Sequence, residues 1–594
     1  MNPLIEAAKA CIYETTRFLA PVPVAVEWVM TAFAALLGAL CPVGQRLGGL
    51  RRGFQWIASR RWLAIVISGA LPVAIRLSLL GVMPVPEPSI HDEFSHLLLG
   101  DTLAHGRLTN PTHPMWRSFE SIHIIQRPTY NSMYPPAQGS FLALGEALFH
   151  EPWAGVVISV GLMGAVLCWM MQGWLPPAWA LWGALIAGLK IGVVGLWMNS
   201  YMGGAASAIG GALLIGALPG LVRWKNRILP AMFAGLGMVI LMNSRPFDGA
   251  VLSMAALLYV VVRVKPRRRL VGLLTPAVIV LACGVSFTGY YNWRVTGNPA
   301  RMGYQVNRDT YGWPENLAFL NAKKLTLQDP VMQKMYLKEV AQRDAYNAPF
   351  KILDNLLTRL FDNWTYFIGP VLTAPLMFLP WVFRDRRTRP LVGFILAIAI
   401  LNLFQLVLYP YHLGPVVGVM FAIVAQGMRH LYVQLGRRRG AVAVMVLPAC
   451  LILVGAMKQE ADDLDLRLAY WERAAELHHD SRAYIAQWLA RRPGKQLVVV
   501  RYGPFHHPNQ EWVYNGADID GSKVVWAREV DDQEDAGLLR YFRDREVWLL
   551  EADVYPQRVV RYPGLNSRAV MPPKDFNDGP GMARPAYNHD KAHS

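Results

Sequence analysis

The sequence is short of charge, short of acid and short of cysteine. Of its 594 residues only 17% are charged, while 53% are apolar. A water-soluble domain needs more charge to cover its surface, so this deficit implies that lipid is part of the solvent. Asp and Glu (41) are outnumbered by Lys and Arg (58), which leaves a net charge of +17. The basic residues, however, fall in short clusters between apolar runs, where membrane topology rather than polyanion binding puts them, and no nucleic-acid partner is expected. The five cysteines, Cys11, Cys41, Cys168, Cys283 and Cys450, form no CxxC pair and lie mostly in apolar stretches. Neither a disulfide framework nor a cysteine metal site is indicated. No basic segment followed by a short apolar core opens the chain, so no cleavable signal peptide is expected, and no internal repeat stands out.

What the sequence does contain is a series of apolar runs of about 17–23 residues, enough for a helix to cross a hydrocarbon core of roughly 30 Å. The runs predict spans near Trp62–Met83, Trp153–Met171, Ala178–Trp197, Ala205–Val222, Leu229–Met242, Ala250–Val262, Leu270–Tyr290, Trp364–Phe383, Pro390–Leu408, Val416–Leu431 and Ala441–Met457. Val24–Leu40, which carries Glu27, reads as a further span or an interfacial helix. Twenty Trp and 23 Tyr suit a protein with two membrane interfaces to anchor. Clusters at Arg51–Arg52 and Arg60–Arg61, Arg223–Arg227, Lys265–Arg269, Arg384–Arg389 and Arg437–Arg439 all fall on one side if the spans alternate. By the positive-inside rule that side is the cytoplasm.

The opposite, outer side receives the long and chemically mixed segments: loops near 84–151 and 291–363, the turns Asn199–Gly204, Asn243–Gly249 and Tyr409–Pro415, and the tail after Met457. The expected fold class is therefore an α-helical polytopic membrane protein of about 11–12 spans with a small C-terminal α/β extracytoplasmic domain. The organisation read from the chain is an N-terminal extension (1–61), a transmembrane domain (62–458), an α/β domain (459–565) and a disordered tail (566–594). Glu460–Arg491 predicts a charged amphipathic helix, and Gln496–Arg501, Lys523–Ala527 and Glu546–Glu551 predict short strands around a helix near Gln533–Arg543.

Function tends to sit on irregular segments held by a rigid scaffold, which directs attention to the outer face. The first loop opens with an adjacent acidic pair, Asp92-Glu93, at the start of a helix-like segment. Two carboxylates there can act as general base on an acceptor hydroxyl, with a pKa raised by partial desolvation, or can hold a divalent cation. Equally, Asp92 caps the helix and Glu93 favours its positive end. His91 and His96 are not at i,i+4 spacing, so no helical two-histidine zinc site is expected, and the loop histidines read as hydrogen-bonding residues. Pro135–His150 reads as an amphipathic helix in the interface. Arg245 lies at a membrane edge with Asp248 nearby, which gives either a turn-fixing ion pair or a clamp for a lipid phosphate, and Arg294 and His412 invite the same two readings. His91, Tyr134, Tyr201 and Asp248 complete the candidate substrate contacts, with no metal ligand assigned.

The segments HDEFSHLLLGDTLAHGRLTNPTHPMW, NSYMGGA, NSRPFDG, YYNWRVTGNP and EWVYNGADID, with the acidic pair soon after the first secure span and the Tyr-Pro-Pro helix, resemble the GT-C glycosyltransferases. Within them the sequence is most similar to the bacterial branch related to protein O-mannosyltransferases and the lipid A aminoarabinose transferase. The resemblance implies transfer of a sugar from a polyprenyl-phosphate donor to an envelope acceptor on the outer face of a bacterial inner membrane. It implies that Asp92, helped by Glu93, acts as base or positions the acceptor, and that Arg245, Arg294 and His412 bind the donor phosphate. The cofactor stays open, a divalent cation included. The implied partners are a lipid-linked sugar donor, an envelope acceptor and membrane lipids. A transporter or flippase of a lipid-linked precursor is the rival reading, although its ionisable residues belong near the midplane and its halves often repeat. A non-catalytic envelope scaffold is the third.

Overall fold

In a computed structural model the chain is described over residues 48–434 and 482–563, apart from short segments at 82, 194, 224–226, 267, 313–316, 318–323, 348–350, 407, 504–505, 507–509 and 555–556. The candidate spans at Val24–Leu40 and Ala441–Met457, most of the Glu460–Arg491 helix and the tail 566–594 lie outside the described residues.

The described chain is mostly helical. Helices α1 (Gly48–Ser59) and α2 (Arg61–Ser78) lead into the first long loop, which holds α3 (His91–Ala104), a two-residue hairpin β1 (Ile124–Ile125) and β2 (Asn131–Ser132), and α4 (Pro136–Phe149). The bundle continues with α5 (Pro152–Trp174), α6 (Pro177–Ala187), α7 (Gly204–Arg223), α8 (Ile228–Met242), α9 (Pro246–Arg263) and α10 (Arg269–Thr296). Proline opens α4, α5, α6 and α9, where its missing N–H costs nothing and its fixed φ suits the first turn. The second long loop carries α11 (Gly303–Tyr311) and α12 (Pro330–Asn347), and α13 (Arg389–Asn402) and α14 (Gly414–Gln434) return to the bundle.

Among the described residues six segments are long and apolar enough to cross a membrane, and Pro177–Val193, α8 and α13 are shorter apolar helices. This is a multi-pass membrane protein. Composition sorts its helices by depth. The Gly- and Ala-rich α7 is 94% buried and packs against α5, α8 and α14, whereas α10 is only 17% buried and shows Val271, Val278, Ile279 and Val285 outward, as a lipid-facing helix does. The predicted span Trp364–Phe383 is instead broken into Trp364–Ile368, Gly369–Leu376 and Leu379–Arg384. The reason is local: Gly369 takes a φ of 63°, and Pro370 and Pro375 withdraw backbone donors. Helix α4, read in the sequence as an interfacial helix, exposes Leu144, Leu148 and Phe149.

The C-terminal region is a small α/β domain. Strands β3 (Lys495–Arg501), β4 (Val524–Arg528), β5 (Arg545–Glu551) and β6 (Arg558–Arg561) stand in the order β4-β3-β5-β6. The first three are parallel and β6 runs antiparallel to β5. Helices α15 (Arg482–Ala490) and α16 (Asp532–Tyr541) accompany the sheet. The parallel strands fall on the short β-branched runs of the sequence, because a strand buried on both faces must be apolar throughout. Valines 498, 499 and 500 are each at most 1% exposed.

Candidate active site

Three membrane-edge features meet the first loop at one cavity of about 270 Å³. Its lining includes His91, Asp92, His96 and His123 from the first loop, Tyr134 and Gln138 at the start of α4, Arg245 and Asp248 at the start of α9, Tyr304 and Arg308 on α11, Met335 and Glu339 on α12, and Tyr409, Tyr411 and His412 before α14.

The Asp92 wall is held from below by a buried guanidinium. Arg76, 1% exposed at the end of α2, donates to Asn199 Oδ1 (2.7 Å), to the Met83 carbonyl (2.7 Å) and to the Pro84 carbonyl (2.8 Å). All these acceptors are satisfied together, so the chain leaving α2 is pinned to the Asn199–Gly204 turn. Glu93 makes the next tie. Its two oxygens accept from the N–H groups of Ser89 (3.0 Å) and Tyr201 (3.1 Å), and the Tyr201 hydroxyl donates to the Pro86 carbonyl (3.1 Å). Glu93 is 1% exposed, and burial pushes its carboxyl up to about 7 against these hydrogen bonds.

Asp92, one residue back on α3, points the other way, into the cavity. The Tyr134 hydroxyl donates to its Oδ1, while His123 Nδ1 lies 3.4 Å and His91 Nε2 3.7 Å from its Oδ2. Burial by itself raises this carboxyl, but His123, His91 and the Tyr134 hydrogen bond together outweigh it and hold Asp92 below the usual carboxylate range. The raised pKa expected of Asp92 from desolvation is thus reversed. The same surroundings push the Tyr134 hydroxyl well above its ordinary value, first by burial and then by the Asp92 charge. His96 stacks on Tyr134 with ring centres 4.3 Å apart, and burial lowers it to about 4, so it is neutral at pH 7.

His91, Asp92 and His123 each offer one ligand atom, all within 4.8 Å of one another. Two imidazoles and a carboxylate form a donor set that a divalent transition ion accepts, and such an ion supplies Lewis acidity to a bound hydroxyl. His91 meets His123 here, and not His96, because the turn into β1 brings residue 123 across the loop: Met133 N–H donates to the His123 carbonyl (3.2 Å). Sequence spacing carries no signal of that pairing.

Across the cavity stands Arg245. It makes no ion pair among the described residues and lies over the Tyr411 ring at 5.3 Å. The turn-fixing Arg245–Asp248 ion pair, one of the two readings, is not closed, although the Arg245 charge still acts on Asp248; Asp248 accepts from Gln405 Nε2 (3.4 Å). Ala137 N–H donates to the Asn243 carbonyl (3.0 Å), tying the Tyr134 end of α4 to the turn that presents Arg245. Glu339 is 9% exposed, and burial pushes its carboxyl up to about 7.

Of the residues singled out in the sequence, His91, Asp92, Tyr134, Arg245, Asp248 and His412 line the cavity. Glu93 and Tyr201 do not; they brace its floor from behind. Arg294 lies at the end of the lipid-facing α10, where it donates to the Tyr290 hydroxyl (3.3 Å), away from the lining. His123, read in the sequence only as one of the hydrogen-bonding loop histidines, also lines it, and Tyr304, Arg308 and Glu339 line it without having been singled out, since the polar helices α11 and α12 carry no local motif.

No protein-family model and no curated protein matches the sequence. Among solved structures the chain is similar to ArnT from Cupriavidus metallidurans in the apo state, with a TM-score of 0.48 and 13% identity over 82% of this chain and 92% of that one. It is similar also to the same protein bound to undecaprenyl phosphate (TM-score 0.44, 12% identity, 82% and 92% covered). A third is the archaeal oligosaccharyltransferase AglB from Archaeoglobus fulgidus in complex with an inhibitory peptide and a dolichol-phosphate (TM-score 0.42, 12% identity, 83% and 69% covered). These likenesses concern the course of the chain. The chemistry of the cavity stands on its own residues.

Proposed function

We propose that this chain is a membrane glycosyltransferase that moves a sugar from a polyprenyl-phosphate-linked donor to an envelope acceptor at the outer face of the inner membrane. The observation that carries this reading is the presence, in one cavity at the membrane edge, of a carboxylate held anionic and an arginine that makes no ion pair among the described residues. A guanidinium at that depth is expensive unless it meets an anion, and its planar fork suits a phosphate. The motif resemblance of the sequence supports the same reading.

The geometry supports the following roles. The Asp92 carboxylate faces the positive charge that develops at the sugar's anomeric carbon and leaves the acceptor hydroxyl's proton to another group. As the acceptor oxygen bonds to that carbon, the carbon–oxygen bond to the phosphate breaks, and its electron pair leaves on the phosphate oxygen. Arg245 meets the added negative charge. The acceptor proton goes to a group whose pKa lies near working pH, and Glu339 is the cavity carboxyl placed there by burial. Eleven of the other lining residues are tyrosine, histidine, asparagine or glutamine and nine more are apolar, a mixture suited to sugar hydroxyls and ring faces, which agrees with a saccharide rather than a small inorganic ion.

The test is Asp92→Asn and Arg245→Ala in a host carrying the gene, with envelope glycans followed by mass spectrometry. The gene-dependent sugar is lost in both variants. Full retention of that sugar in both removes the proposed roles.

A further inference from the structure

None of the described residues of the C-terminal domain lines the cavity, yet that domain grips two of the helices that line it, α3 with Asp92 and α12 with Glu339. On the Asp92 side, Glu511 N–H donates to the Ser89 carbonyl (3.3 Å), just ahead of α3. Tyr514 stacks on Phe94 with ring centres 4.7 Å apart, and Ala517 N–H donates to the Asp101 carboxylate (2.6 Å). On the Glu339 side, Arg528 from the end of β4 is paired with Asp329 at 2.6 Å. Asp329 is the cap of α12, accepting from Met332 N–H through its other oxygen (2.9 Å). One turn on, Lys334 Nζ donates to the His506 carbonyl (3.0 Å).

The two grips are joined. Glu511, whose backbone holds Ser89, places its side-chain Oε2 3.8 Å from Arg528 Nη2. Its Oε1 is fixed by the Tyr502 hydroxyl (2.6 Å) and by the N–H groups of Trp512 and Val513 (3.0 and 2.9 Å). Arg528 and Glu511 side chains are 4% and 5% exposed. A buried pair is costly to break and has defined geometry, so it transmits position in a way that a surface pair does not.

We propose that the C-terminal α/β domain is a positioning clamp for the cavity: the line Ser89–Glu511–Arg528–Asp329 sets the distance between the Asp92 wall on α3 and the Glu339 wall on α12. Arg528 is a positioning residue, acting through Asp329 and the cap of α12. The domain and a ligand that spans the two walls are therefore coupled: seating one tightens the other.

Two arms test this on the full-length chain in lipid nanodiscs. One is hydrogen exchange over residues 330–347, and the other is binding of undecaprenyl phosphate as probe. Only the second rests on the proposed function. Arg528→Gln speeds exchange in 330–347, leaves α5 and α7 unchanged, and weakens probe binding by about twofold to thirtyfold. Arg528→Lys restores most of both. Asp329→Asn, which keeps a side-chain cap but loses the charge, behaves like Arg528→Gln, and the double variant is no worse than either single one. Unchanged exchange in 330–347, or an equal rise along the whole chain, overturns the clamp. If the unaltered protein does not bind the probe, the phosphate reading fails, and the exchange arm still decides the clamp.

Discussion

Two neighbouring acids on one helical turn have been given opposite work by the direction of their side chains. Asp92 faces the cavity and is surrounded by donors; Glu93 faces the scaffold and is consumed by the Ser89 and Tyr201 N–H groups. The variants should separate accordingly. Asp92→Asn keeps the fold and loses transfer. Glu93→Gln sets an amide NH₂ against one of two backbone donors, which costs about 1–3 kcal/mol of stability and shows as a lowered melting temperature of the purified protein. Glu339 in the same cavity, raised by burial to about 7, must be deprotonated to take a proton, so transfer rises with pH through about 7. Asp92 is anionic throughout that range and adds no second limb. Glu339→Gln should flatten the profile and slow transfer by roughly 10²–10⁴-fold, measured as initial rates on isolated membranes. An unaltered pH profile in that variant places the proton elsewhere. The adjacency of Asp92 and Glu93 was visible in the sequence, but their division of labour was not, because it depends on which face of α3 meets the Asn199–Gly204 turn.

Helix crossings in this bundle depend on small residues. At the α2–α5 contact a Cβ added to Gly69 would come within 2.6 Å of the Gly161 carbonyl oxygen and 3.2 Å of Ala165 Cβ. Backbone cannot yield as a side chain can, so Gly69→Ala forces the helices apart. It should cost roughly 1–3 kcal/mol. Gly393 on α13 has nothing within 4 Å of an added Cβ, and Gly393→Ala is the neutral control. Thermal unfolding followed by fluorescence-detected size exclusion distinguishes them. At this scale the sequence is legible where an element depends on local chemistry. The apolar runs, the N-terminal prolines and the valine-rich strands mark their own elements. It is opaque where an element depends on a partner: α11 and α12 are polar, α12 lacks a repeating apolar face, and both are placed by contacts with residues far away in the chain. The predicted span Trp364–Phe383 is the intermediate case, since its prolines were present in the sequence but the apolar run outweighed them.

On the scale of the whole molecule, the position of the site depends on orientation. Both long loops, the cavity and the α/β domain lie together, joined by contacts such as Arg117–Glu534 and Tyr130–Asn515 that tie residues hundreds of positions apart. Arg384, Arg386 and Arg387 sit between the broken helices and α13, on a connection built of exposed basic residues with Asp385. Positive charge in short connections is retained on the cytoplasmic side during insertion, while long segments cross regardless of charge. The domain is thus expected outside and the Arg384–Arg389 connection inside. Single cysteines at Arg543 and Arg386, both exposed, report this directly in a background with the five native cysteines replaced by serine. In intact spheroplasts a membrane-impermeant maleimide should label Arg543→Cys and leave Arg386→Cys unlabelled until the membrane is opened. The reverse pattern would put the cavity in the cytoplasm, where a lipid-linked donor and an envelope acceptor do not meet, and would remove the proposed reaction as well as the topology.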